Sequence, residues 1–237
     1  EVSWDEAFAE IERRLLPVIE AHGRDAVAVY LGNPTVHNLG AGIYARALLT
    51  ALGTRNIFSA STVDQMPRHV SCGAMYGSPD AIPVPDLDRT SYLLMLGANP
   101  YESNGSLCTA PDFPGRLQTI RERGGKVVVV DPRRTRTAKN ADEHVPIRPG
   151  TDGHLLLAMA HVLFAEDLVR AELDPTVFNG LDAVRDAVEP FSPEAVAEHT
   201  GVDADTIRRL AREVAATESA AVYGRIGTNT VAFGTVA

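Results

Sequence analysis

Sulfur is scarce in this chain. Its 237 residues hold two cysteines, Cys72 and Cys108, too few for a disulfide framework or a four-thiolate metal site. Positive charge is also short. Lys and Arg total 22 against 31 Asp and Glu, and the net charge of −9 opposes general binding to nucleic-acid phosphates. No apolar run approaches the roughly 20 residues that span a bilayer. Neither an initiator Met nor a signal-like segment opens the chain at Glu1, so a fragment is expected, with any targeting signal upstream. What remains is an ordinary globular composition, 45% hydrophobic and 22% charged, which excludes disorder and suits one large domain or two modest ones.

Helical and extended patterns alternate. Ser3 and Glu6 form a capping-box pattern, and Phe8, Ile11 and Leu15 share one face of the helix that follows, with Gly23 as its stop. Ala26 to Leu31 is continuously apolar, as a strand buried on both faces should be, and Gly32-Asn33-Pro34 breaks it. A second helix is expected from about Asn38 to Leu52. From Ser59 to Arg89 no period is clear, and that span is expected to be irregular. Strands follow at Tyr92 to Leu96 and Val127 to Val130, then at Ala220 to Tyr223. Between them helices are expected near 116–123, 155–164, 181–188, 192–199 and 203–216, with Ser192 and Pro193 as N-cap and first-turn proline.

Apolar strands alternating with helices predict an α/β fold, with mostly parallel sheets sandwiched by helices in three αβα layers. Ligands of such sheets bind beyond the carboxyl ends of the strands, so residues 32–34, 97–100, 131–135 and 224–230 are the informative ones. Gly97-Ala98-Asn99-Pro100 allows close backbone approach and offers an amide, though a plain turn reads the same way. Asp131-Pro132-Arg133-Arg134-Thr135 places a hydroxyl-binding carboxylate beside phosphate-pairing arginines, or else forms a solvated turn. Arg148-Pro149-Gly150-Thr151-Asp152 opens a long helix whose N–H groups suit anionic or polar atoms, unless Thr151 and Asp152 merely cap it. Together these look like a nucleotide site. There is no Gly-x-Gly-x-x-Gly and no Walker lysine motif, so a generic NAD-binding dehydrogenase domain fits poorly.

Leu-Gly-Ala-Asn-Pro, Val-Val-Asp-Pro-Arg-Arg-Thr-Arg-Thr-Ala and Ile-Arg-Pro-Gly-Thr-Asp, with Ser3-Trp4-Asp5-Glu6-Ala7 at the start and Tyr223-Gly224-Arg225-Ile226-Gly227-Thr228 near the end, resemble the molybdopterin-dinucleotide oxidoreductases. That group contains formate dehydrogenases, nitrate reductases and dimethyl sulfoxide reductases. The resemblance implies a bis-molybdopterin guanine dinucleotide cofactor carrying molybdenum or tungsten. Gly97, Ala98, Asn99 and Pro100 would contact its guanosine-diphosphate end. Asp131, Pro132, Arg133 and Thr135 would surround ribose and guanine, and Pro149, Gly150, Thr151 and Asp152 would line the guanine pocket. Ile226, Gly227 and Thr230 fall in a loop near pterin and metal, with Thr230 standing where a Gln is common.

Family members are much longer. The resemblance therefore implies a central portion, with a 4Fe-4S cluster in a missing N-terminal part and the remaining pterin contacts in a missing C-terminal part. Those parts, the cofactor and an electron-transfer subunit are the partners it implies, and the cytoplasm is the expected compartment. It also implies two intertwined domains, residues 1–89 with 186–237, and an inserted dinucleotide-binding domain at 90–185. The best register puts Val70 at the metal-ligand position, and a slip of one or two residues brings Ser71 or Cys72 there. His69 is a candidate proton carrier or a packing histidine. The alternative is a non-catalytic scaffold subunit of a respiratory NADH dehydrogenase, in which the same fold has lost its pterin.

Overall fold

The computed structural model describes residues 1–32, 35, 38–108, 110–169 and 178–237. Asn33 and Pro34, expected to break the first strand, lie outside the described residues. The chain divides into two compact units, Glu1–Val63 and Asp64–Ala237.

In the first unit, helix α1 (Trp4–His22) starts at the expected capping box, with Ser3 accepting from the Glu6 N–H and Glu6 from the Ser3 N–H. Strand β1 (Val29–Leu31), helix α2 (Leu39–Leu52) and strand β2 (Ile57–Ser59) follow, and β1 pairs parallel with β2. The strand expected at 26–31 is shorter than its apolar run, because Arg24–Ala26 closes a 3-10 turn. It is not buried on both faces either: Tyr30 is 70% exposed in this two-stranded sheet.

Helix α3 (Ser61–Asp64) and helix α4 (Met66–Tyr76) occupy the span expected to be irregular. Pro67 sits in the first turn of α4, where its missing N–H costs nothing, and Gly77 ends the helix in the left-handed conformation at φ 75°. The second unit continues with β3 (Tyr92–Leu96), α5 (Pro100–Ser103), α6 (Phe113–Glu122), β4 (Lys126–Val130), α7 (Arg136–Lys139) and β5 (Glu143–Val145). Then come α8 (Asp152–Ala165), α9 (Leu181–Val188), α10 (Pro193–Thr200), α11 (Ala204–Ala216), β6 (Ala220–Gly224) and α12 (Ile226–Asn229).

The second sheet has the order β5-β4-β3-β6, and every pair is parallel. Its side chains alternate between two cores. Leu94, Leu96, Val128 and Val130 pack with Leu155 of α8 and Ile207 and Leu210 of α11. Leu93, Met95, Val127 and Val129 pack on the other face with Phe113, Leu117 and Ile120 of α6. This is the expected αβα layering, and burial on both faces explains the unbroken apolar runs. The contacts divide the chain at 63/64. Residues 220–224 belong with the sheet of the second unit, because β6 pairs with β3 along all of Tyr92–Leu96.

At the amino edge of this sheet a charged network closes the core. Tyr92 Oη donates to Glu213 Oε2 at 2.7 Å, and Lys126 Nζ reaches Glu213 and Glu143 at 2.9 and 3.0 Å. Arg209 bridges the same two carboxylates. Burial opposes ionisation of Glu213, but hydrogen bonds from Lys126, Tyr92 and Arg209 outweigh it and hold its carboxyl below the usual range. Glu213→Ala leaves a buried phenol and two cations without this acceptor. Urea denaturation should show a loss of about 2–3 kcal/mol, whereas substitution of an exposed pair such as Arg185–Asp182 should cost under about 1 kcal/mol.

Candidate nucleotide cleft

The loops after β3, β4 and β6 leave the same edge of the sheet. Two of them cross in contact. Gly97, just past β3, adopts φ 55°, and a Cβ built there would lie 2.6 Å from the Gly227 Cα. The reverse holds too: a Cβ on Gly227 would lie 2.6 Å from the Gly97 Cα. Gly227 N–H donates to Gly97 O, Arg225 N–H to Leu96 O and Gly97 N–H to Val130 O, each at 3.1 Å. These bonds extend the ladder beyond the strands and fix the loops without side chains.

Beside the crossing lies a cleft of about 510 Å³. Gly97, Asn99, Asp131, Pro132, Arg133, Thr135, Pro149, Gly150, Asp152, Ile226, Gly227 and Thr230 line it, so most candidates from four separate segments meet there. Ala98, Pro100 and Thr151 are buried and do not line it: Ala98 packs in the α6-side core and Pro100 starts α5. Asp64, Glu102, Ser103 and Val231 line the cleft without having been expected, and Arg225 joins them from the informative stretch 224–230. Arg225 follows a strand end and falls in the motif that carries the family resemblance. Asp64 lies in the aperiodic span, where nothing in the local pattern marks it.

Each polar candidate is held by its own local geometry. The Thr137 hydroxyl, 1% exposed, donates to Asn99 Oδ1 at 2.6 Å, which leaves the Asn99 NH2 group as the donor for the cleft. Asp131 Oδ1 accepts from the Arg133 N–H at 2.8 Å, and the Asp131 carbonyl accepts from His144 Nε2 at 2.9 Å. Thr135 caps α7 by accepting from the Ala138 N–H at 3.1 Å. Thr151 does not cap α8. Its hydroxyl turns back to donate to Arg148 O at 2.7 Å, so the cap reading fails at that residue.

Asp152, 4% exposed, begins α8. Burial pushes its carboxyl up, and the neighbouring Asp131 charge adds to the rise. Across the cleft Arg225 Nη2 lies 3.6 Å from Asp64 Oδ1, and Asn229 Nδ2 donates to Asp64 O at 3.1 Å. Four carboxylates thus face two guanidiniums.

The metal-ligand candidates sit elsewhere. Ser71 and Cys72 line a separate cavity of about 180 Å³ with Arg68, Leu96 and Thr228. Cys72 is buried, and the Ser71 hydroxyl donates to Arg68 O at 2.9 Å. Val70 is 55% exposed, and His69 Nδ1 donates to Pro79 O at 2.7 Å. Among the described residues no three His, Cys, Asp or Glu side chains converge as a metal site, and no helix is long and apolar enough to cross a membrane.

A family model described as molybdopterin oxidoreductase matches residues 1–223. The chain belongs to this family. Formate dehydrogenase H of Escherichia coli is 32% identical over 237 residues, covering 95% of this chain and 31% of its own length. The thiosulfate reductase molybdopterin-containing subunit PhsA of Salmonella typhimurium is 32% identical over 91% of this chain and 27% of its own. Acetylene hydratase from Pelobacter acetylenicus superposes on the whole chain with a TM-score of 0.74 at 24% identity, over 31% of that chain, a likeness of fold. The chain thus spans about a third of the length of the relatives it matches.

The glycine crossing has a direct test. Gly97→Ala and Gly227→Ala should each cost about 2 kcal/mol or more in urea denaturation, since backbone must move. The double variant should cost clearly less than the sum, because either methyl group alone forces the loops apart.

Proposed function

We propose that this chain is the central cofactor-binding region of a molybdenum or tungsten oxidoreductase, and that its cleft holds the guanosine-diphosphate end of one molybdopterin guanine dinucleotide. The observation that carries the reading is the Gly97–Gly227 crossing beside a cleft with fixed donors and acceptors. Backbone free of side chains lets a ligand's phosphates approach closely. The Asn99 amide supplies a donor for a phosphate oxygen, and Asp152 is an acceptor for the paired N–H groups of a guanine edge. The second oxygen of Asp131 is an acceptor for a ribose hydroxyl, its first being used by Arg133.

The bound metal supplies the two-electron or oxo-transfer chemistry, and the chain's residues bind and orient the nucleotide end. On this reading the 237-residue chain alone turns over no substrate, and the 4Fe-4S cluster, the remaining pterin contacts and any electron-transfer subunit lie outside it. Cys72 is the stronger metal-ligand candidate, since the Ser71 hydroxyl is already engaged.

Calorimetric titration of the chain tests the proposal. GDP should bind and NAD should not, and equal or stronger binding of NAD would overturn it. The ionised Asp152 is the acceptor, and its carboxyl titrates above the usual range. GDP affinity should therefore hold above that raised value and fall about tenfold per pH unit below it. Asp152→Asn should remove this dependence.

A further inference from the structure

We propose that Thr137, a buried residue outside the cleft, is the positioning residue that makes the cleft wall at Asn99 a hydrogen-bond donor and so selects a ligand that presents an acceptor there. The inference rests on the nucleotide reading above and adds the residue that sets the polarity of one contact. Asn99 stands at the N-cap of α5, where an Asn side chain ordinarily accepts from the N–H of the second or third helical residue. Here its side chain caps nothing. The N–H of Tyr101, the second residue of α5, donates instead to Thr137 Oγ1 at 3.2 Å, from α7 and 36 residues away in sequence. Thr137 thus does the capping, and the Asn99 side chain is released to line the cleft.

The same hydroxyl fixes which way the Asn99 amide faces. A threonine hydroxyl has one proton to give. The Tyr101 N–H can only donate, so the Thr137 oxygen accepts there, and its own proton goes to Asn99 Oδ1 at 2.6 Å. With the amide reversed, the Asn99 NH2 would donate to that oxygen, and the proton of a hydroxyl on a residue 1% exposed would lose its acceptor. The residue before Thr137 holds the arrangement in place. The Arg136 guanidinium lies over the Tyr101 ring, 5.6 Å from its centre, and keeps α7 against α5. Toward the cleft Asn99 therefore presents an NH2 group and no acceptor. A ligand atom that meets it must accept, as a phosphate or carbonyl oxygen does, and a group that can only donate finds no partner there.

A double-mutant cycle read by calorimetric titration with GDP tests the assignment. Asn99→Ala and Thr137→Val should each weaken GDP binding about tenfold, and Thr137→Ser, which keeps the hydroxyl, should stay within about threefold of the wild type. The double variant should bind no more weakly than Asn99→Ala alone, because Thr137 acts only through the Asn99 amide. Wild-type affinity in Thr137→Val would overturn the role, and so would losses that add in the double variant, the mark of a merely structural residue. Asn99→Asp keeps an acceptor for the Thr137 proton and turns a carboxylate oxygen to the ligand, so it should bind GDP more weakly than Asn99→Ala. Equal or tighter binding there would overturn the donor polarity, even where circular dichroism shows that Thr137→Val does not fold. If the wild type does not bind GDP, the nucleotide reading fails and this inference falls with it. If it binds GDP and Asn99→Ala binds as tightly, the reading stands and Thr137 sets no contact.

Discussion

The close approach of Gly97 and Gly227 governs the geometry at the carboxyl edge of the sheet. Parallel pairing of β3 with β6 sends both following loops out of the same edge, where they must either diverge or touch. They touch because neither carries a side chain. Once in contact, backbone bonds tie Leu96 and Gly97 to the β6 loop and Gly97 to Val130, and the positions of Asn99, Arg225 and Ile226 follow. A methyl group at either glycine would displace the wall of the cleft together with the ladder that supports it.

The two ends of the same strands do different work. At the amino edge, oppositely charged groups are matched and shared, with Glu213 and Glu143 between Lys126 and Arg209. At the carboxyl edge charge is left unbalanced. Asp152 is buried beside Asp131, a placement that costs stability in the free chain and suits a ligand able to donate to both. Arg225 sits on the other side of β3, 3.6 Å from Asp64.

Much of this was legible because the physics is local. Strands β3 and β4 are buried on both faces, so they read as unbroken apolar runs, and the cleft residues fall at strand ends, where parallel sheets leave room. The family resemblance supplied their grouping on a nucleotide, which periodicity could not. Strand β5 was invisible: Glu-His-Val carries no alternation, and its Glu143 is justified by Lys126 and Arg209 from distant elements. Helix α4 was hidden by Pro67, whose place in the first turn makes it compatible with a helix. Thr151 looked like a cap, yet its hydroxyl bonds backwards to Arg148. Asp64 and Thr137 carry no mark in the sequence pattern, because their roles depend on Arg225 and Asn99, contacts that only the folded chain creates.

Amide hydrogen exchange of the chain with and without GDP tests the central claim most directly. The account predicts slowed exchange confined to the loops at 97–99, 131–135, 150–153 and 225–230, with the amino edge of the sheet unchanged. Protection at other segments, or none at GDP concentrations that saturate binding, would contradict it.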